Sequence, residues 1–221
     1  MTTTTTHASV DIARLRQAMV ASQLRPNAVD DQRVVTAMAT IPREAYLPST
    51  AASLAYRDTA IPLGRARYQN SPLATARLVN AVEIVPADRV LLIGATGGYT
   101  AALLVELGAV VTAIESDPEL VAVARTALGD TATVVEAPLT EGHAPGAPYD
   151  VLFVDGAVEE LPDALLAQLR DGARIATGLV QNGVTRLAVG ARTAGGHAVQ
   201  PFLDAECVIL PGFTKPAAFR F

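Results

Sequence analysis

From position 89 onward the chain alternates short apolar runs with segments of helical spacing. The runs are RVLLI (89–93), VVTAI (110–114), TVVE (133–136), VLFV (after Asp150) and RIATGLV (174–180). Between them, Ala101 to Leu107, Pro118 to Leu128 and the stretch around Pro162 to Leu169 repeat apolar residues at helical intervals. Strands with so few polar positions suit a sheet covered on both faces, and the strand–helix alternation predicts an α/β fold with a doubly wound, mostly parallel sheet. RIATGLV, TRLAVGAR and an apolar stretch at Cys207 to Leu210, with Gly195-Gly196 between two of them, predict an antiparallel hairpin at the C-terminal end.

The first part of the chain follows a different pattern. Ile12, Leu15, Met19, Val20 and Leu24 give one apolar helical face, and Asp30 is placed to cap a second helix carrying Val34, Val35 and Met38, closed by Pro42. Pro48, Pro62 and Pro72 interrupt the stretch between 48 and 72, which reads as an ordered loop crossing the main domain. Leu73 to Val82 returns to helical spacing, and Pro86 with Asp88 turns the chain into the first strand. The expected organisation is a disordered tail over 1–9, a helical N-terminal addition with a substrate-side loop over 10–85, and a nucleotide-binding domain over 86–221.

Composition narrows the partners. The 221 residues are 50% hydrophobic, enough for a sizeable core, and carry 17 basic against 22 acidic side chains, a net charge of −5. With no Lys/Arg block, the electrostatic attraction of nucleic acid is missing, and no nucleic-acid partner is expected. No apolar run nears the ~20 residues of a membrane span, and MTTTTTHASV has neither the basic nor the apolar part of a secretory signal. With Cys207 as the single cysteine, the expectation is a cytoplasmic protein without disulfides, a monomer in preference to an oligomer. His7, His143 and His197 share no ligand spacing, so no metal site is expected. Phe213, Phe219 and Phe221 are expected to pack back on the domain or, less commonly for such a terminus, to dock elsewhere.

The candidate chemistry sits between Arg89 and Glu115. Gly94, Gly97 and Gly98 form a turn between a strand and a helix, where backbone can approach a ligand and the helix start offers unpaired N–H groups. Glu115 ends the next strand, 21 residues after Gly94, the place of a carboxylate that accepts ribose hydroxyls. Asp155 follows VLFV at another carboxyl end, as a ligand contact or a cap. Tyr68 is a loop aromatic that stacks on a ligand or packs.

Four segments carry a family resemblance: Met19 to Pro48, Leu54 to Gly64 (LAYRDTAIPLG), the glycine turn, and Leu161 to Ile175 (LPDALLAQLRDGARI). Together they resemble the protein-L-isoaspartate O-methyltransferases. The resemblance implies a seven-stranded, Rossmann-like S-adenosylmethionine methyltransferase fold with a helical N-terminal addition. It also implies methyl transfer to isoaspartyl residues of damaged proteins or peptides, as protein repair.

Aligning Pro72 with the proline of the family's S-Q-P-Y-like motif puts Asn70 at the serine and Ser71 at the glutamine, which makes these two the candidate catalytic residues. In the family's E-x-G-x-G-x-G loop, Leu92 stands at the glutamate and Thr96 at the middle glycine, while Gly94, Gly98 and Tyr99 match. The acidic contact after the third strand falls on Glu136-Ala137-Pro138, with Glu136 the available carboxylate. The implied cofactor contacts are therefore Gly94, Thr96, Gly97, Gly98, Tyr99, Glu115, Glu136 and Asp155. These replacements leave a second expectation, a catalytically degenerate member of the fold acting as a binding or regulatory protein. A nicotinamide-dependent oxidoreductase is a third, which needs a second mononucleotide half that the sequence does not show.

Overall fold

The structure is a computed structural model that describes the backbone of residues 4–215 and the side chains of residues 11–215. Helix α1 (Thr4–Met19) begins within the stretch read as a tail, and residues 1–3 lie outside the described residues, as do Phe219 and Phe221. The chain continues from α1 in a wider π turn over Val20–Leu24. Met19, Val20 and Leu24 are buried, whereas Leu15 is exposed and is not part of the packed face. Helix α2 (Gln32–Thr40) is capped by Asp31, whose carboxylate accepts from Arg33 N at 2.8 Å. Asp30, one residue earlier, has its carboxylate on Asn80 Nδ2 instead.

The stretch from 48 to 72 is not loop alone. It contains an antiparallel hairpin of β1 (Ile61–Gly64) and β2 (Arg67–Gln69), which forms a two-stranded sheet of its own. Its turn holds three consecutive residues at positive φ, Gly64 (95°), Arg65 (48°) and Ala66 (57°). Helix α3 (Pro72–Val82) follows at once, with Ser71 as N-cap and Pro72 in its first turn, where the missing N–H costs nothing.

The main sheet is then laid down by alternation: β3 (Arg89–Ile93), α4 (Tyr99–Glu106), β4 (Val110–Glu115), α5 (Pro118–Leu128), β5 (Thr133–Glu136), β6 (Tyr149–Val158), α6 (Asp163–Leu166), β7 (Leu169–Gln181), β8 (Val184–Thr193) and β9 (Gly196–Asp204). Seven strands run in the order β5-β4-β3-β6-β7-β8-β9, parallel through β7 and antiparallel for the last two pairings. This is the doubly wound sheet with an antiparallel C-terminal end. The final strand lies earlier than the sequence pattern places it, because β9 is mostly solvent-exposed and so carries little apolar signal. The apolar stretch at Cys207 to Leu210 serves another purpose. It crosses the sheet end as a single bridge from Ile209 to Ala157.

Two apolar layers enclose the sheet. One joins α1 to α5 with residues such as Leu92, Val90 and Phe153, and the other joins Leu91, Ile93 and Val154 to α6 and to Leu210 and Phe213. The chain leaves β3 toward β4 and β5, then returns to β6 on the other side of β3. That reversal puts the switch point of the sheet at the carboxyl ends of β3 and β6, the place where open α/β sheets receive ligands in a crevice.

Candidate active site

The glycine turn lies at this crevice. Gly94 leaves β3 with φ +82°, and Gly98, at φ +98°, is the N-cap of α4. Thr96 occupies the left-handed region at φ +48°, a place where a β-branched side chain is strained by about 1–3 kcal/mol. Its backbone N–H gives the reason the strain is held: it donates to Glu115 Oε2 at 2.8 Å.

Glu115 is fully buried and fully engaged. Oε1 accepts from Ser116 N at 2.8 Å and Asp117 N at 3.1 Å, and the Arg67 guanidinium closes over both oxygens, Nη2 at 2.7 Å from Oε2 and Nε at 3.2 Å from Oε1. Two carboxylate oxygens offer about four acceptor sites, and the five N–H donors use them. Arg67 is itself 4% exposed, so the pair is buried on both sides.

A second buried cluster surrounds Asp155. Its Oδ2 accepts from Thr100 Oγ1 at 2.5 Å, and its Oδ1 from Asn70 Nδ2 at 2.8 Å, with Thr75 Oγ1 at 3.4 Å. Burial pushes the Asp155 carboxyl above its ordinary range, opposed by the hydrogen bonds from Thr100 and Asn70 and by the charge of Arg43. Asn70 is used at both ends, because its Oδ1 accepts from Val208 N at 2.8 Å. Arg43, fully buried, donates to the Asn70 carbonyl and lies 4.9 Å from the centre of the Tyr99 ring. Burial lowers the Arg43 pKa and raises that of Tyr99 to about 12.

The structure thus brings Asn70, Thr96, Tyr99, Glu115 and Asp155 to one crevice. Ser71 Oγ is committed to the helix, accepting from Ala74 N at 3.2 Å. Glu136 pairs in register with Glu115 on the neighbouring strand but is exposed. Tyr68 is 42% exposed and points away from its buried neighbours Arg67 and Gln69. Arg43, Arg67, Thr75, Thr100 and Leu210 were not foreseen. The sequence signals for them are the alternation of Arg67 and Gln69 on one face of a short strand, and the charge of Arg43 between Met19 and Pro48.

Several polar atoms here are buried without a partner among the described residues: Arg43 Nε and Nη1, Arg67 Nη1, both amide atoms of Gln69 and the Tyr99 hydroxyl. Such a concentration marks a place built to meet polar groups beyond those it now meets. The crevice is nevertheless filled by the chain itself. A Cβ on Gly94 would meet Leu210 at 3.3 Å and Arg67 Nη2 at 3.7 Å, one on Gly156 would meet Leu210 at 2.5 Å, and one on Gly97 would collide with the Tyr46 carbonyl oxygen. The Arg67 guanidinium therefore occupies acceptor positions on Glu115 that ribose hydroxyls would use.

Comparisons with known proteins give the lineage. Residues 14–209 match the family model of protein-L-isoaspartate(D-aspartate) O-methyltransferase. A protein-L-isoaspartate O-methyltransferase of Koribacter versatilis is 40% identical over 164 residues, covering 72% of this chain and 74% of the relative. One from Gloeobacter violaceus is 36% identical over 197 residues, covering 87% of this chain and 96% of the relative. Among solved structures, a protein-L-isoaspartate O-methyltransferase superposes with a TM-score of 0.78 at 22% identity, over 89% of this chain and 66% of that one. A Plasmodium falciparum chain bearing the same family name, solved in complex with S-adenosyl-L-homocysteine, gives 0.74 at 17% identity, over 88% of this chain and 97% of that one. The seven-stranded fold, the crevice at its switch point and these matches together place the chain in the protein-L-isoaspartate(D-aspartate) O-methyltransferase family.

Proposed function

We propose that this protein is an S-adenosylmethionine-dependent carboxyl O-methyltransferase of the isoaspartyl type, acting on isoaspartyl residues of proteins or peptides. The observation that carries the reading is Glu115. It ends the strand beside the glycine turn, at the sheet's switch point, in a chain 40% identical to a named member of the family. Gly94, Thr96, Gly97, Gly98, Tyr99 and Glu115 form the cofactor side of the proposed site. Asp155 and, at the rim, Glu136 complete that side, and Asn70 forms the side facing the acceptor, with Ser71 supporting it as the cap of α3. What these residues contribute is position and exclusion of water, since methyl transfer from a sulfonium needs little acid–base help.

The test is transfer of a labelled methyl group from S-adenosylmethionine to an isoaspartyl peptide, with the normal aspartyl peptide as control. Labelling of the first alone supports the reading, and labelling of neither opposes it. The Arg67 fork on Glu115 favours one other reading, a family member that keeps the fold for binding or regulation. That reading calls for no methyl transfer and at most weak affinity for S-adenosylhomocysteine.

Localisation and assembly belong to the same proposal. No helix among the described residues is long and apolar enough to cross a membrane. We place the protein in the cytoplasm, with its single thiol buried and reduced. A monomer is favoured by the sheet edges: β5 is four residues long and β9 carries Pro201, both features that discourage pairing with another copy.

A further inference from the structure

We propose that Arg67 is the residue that sets this protein's affinity for its cofactor. Its guanidinium competes with the cofactor ribose for the Glu115 carboxylate, so the β1–β2 hairpin must lift before the ribose binds. The proposal rests on the reading of the site as a cofactor cradle and adds a residue that the reading does not require.

Four observations carry it. Arg67 forks onto both oxygens of Glu115 inside the fold, and three backbone N–H groups complete the carboxylate, so no acceptor position remains for a diol. The hairpin that delivers Arg67 belongs to its own two-stranded sheet and shares no strand pairing with the main one. A second arginine fastens the same hairpin from outside: Arg65 pairs with Glu119 and lies 3.5 Å from Asp117, at the corner between β4 and α5. Finally, Arg67 Nη1 and both ends of Gln69 are buried with no partner among the described residues, so the hairpin's inward face leaves polar capacity unused when closed.

The two arginines are two residues apart on the hairpin, and their carboxylates are two residues apart along Glu115, Asp117 and Glu119. Together they form a clasp with an inner and an outer contact. The inner contact occupies the cofactor's acceptor. The outer one is more than half exposed on the arginine side and adds only a small holding force.

The experiment is calorimetric titration with S-adenosylhomocysteine of the full chain and of its Arg67→Ala, Arg67→Gln and Arg65→Gln variants, each checked for folding by circular dichroism. Removing the inner contact frees a charged acceptor, and Arg67→Ala is expected to tighten binding by about tenfold or more, with Arg67→Gln intermediate. Arg65→Gln, a surface change that carries the test should the inner variants not fold, is expected to tighten binding by about twofold. In turnover, Arg67→Ala is expected to lower KM for S-adenosylmethionine. A residue with a merely structural role would not improve affinity when removed. Binding by the unaltered chain with equal or weaker binding by the variants overturns the proposal and leaves the cofactor reading standing. Silence of every folded variant at millimolar ligand overturns both.

Discussion

Asn70 and Asp155 are joined by a buried hydrogen bond of 2.8 Å across 85 residues of chain, and the same Asn70 amide holds the backbone of Val208 through its oxygen. One side chain therefore ties the segment before α3, the end of β6 and the C-terminal crossing into a single unit. Asn70→Ala strips a donor from a buried carboxylate and leaves the Val208 N–H without an acceptor. The expected cost is about 3 kcal/mol, with about 1–3 kcal/mol for each group left unsatisfied. Urea unfolding checks it, and a loss well under 1 kcal/mol would mean that water or a neighbour replaces the amide.

Ser71 acts on the helix that begins beside it. Ser71→Ala is expected to cost about 1 kcal/mol through loss of the cap, while Ser71→Asp is expected to keep most of the stability because aspartate caps as well. Thermal unfolding of the two variants separates a capping role from simple loss of packing.

Asp155 gives a pH signature. Burial raises its carboxyl above the ordinary aspartate range, so the native state keeps a proton that the unfolded chain has already lost. Stability from this group is complete below the unfolded value and is lost as pH rises through the raised one. Asp155→Asn has no charge to bury, accepts from Asn70 and can donate to Thr100. The stability of the variant relative to the unaltered protein is therefore expected to improve from pH 4 toward pH 7. A difference that stays constant over that range would contradict the assignment.

Substitution of Glu115 is felt first as instability. Glu115→Gln leaves the Arg67 cation buried without its counter-charge, an effect of about 3–5 kcal/mol. Replacing both residues by apolar ones of similar volume is expected to recover most of the loss, because removing a buried pair whole is far less costly than breaking it. A double-mutant cycle by chemical denaturation measures this, and additive losses would show that the two side chains do not interact.

Cys207 is buried, and burial together with the nearby Asp155 charge pushes its thiol up to about 12. At pH 8 the native protein is expected to resist iodoacetamide, and full labelling is expected only in denaturant. Fast labelling of the folded chain would place the thiol in an exposed position.

The strands β3, β4 and β6 were legible because burial on both faces leaves apolar runs that little else produces. Glu115 was legible for a related reason: a lone carboxylate closing such a run has no ordinary place in a core. The partner that holds it was not. Arg67 comes from a three-residue strand whose inward positions are Arg and Gln, so the usual rule of apolar inside and polar outside points the wrong way there. The last strand failed in the opposite sense. β9 has mostly exposed residues and a proline, while the more strand-like apolar CVIL after it places Leu210 against Gly94 and Gly156. Pattern reports burial, and in both places burial was decided by a tertiary contact that no local window contains.

Gly97 turns its α-carbon to the carbonyl of Tyr46, with no room between them for a methyl group. The glycine is thus required by the protein's own N-terminal segment, whatever enters or leaves the crevice. In a lineage of such chains, selection on folding alone would preserve this glycine after a loss of ligand affinity. Gly97 stands at a variable position of the E-x-G-x-G-x-G loop, so its presence reports how the N-terminal segment packs and not whether a ligand binds; the character that reports on the ligand is the residue at position 67.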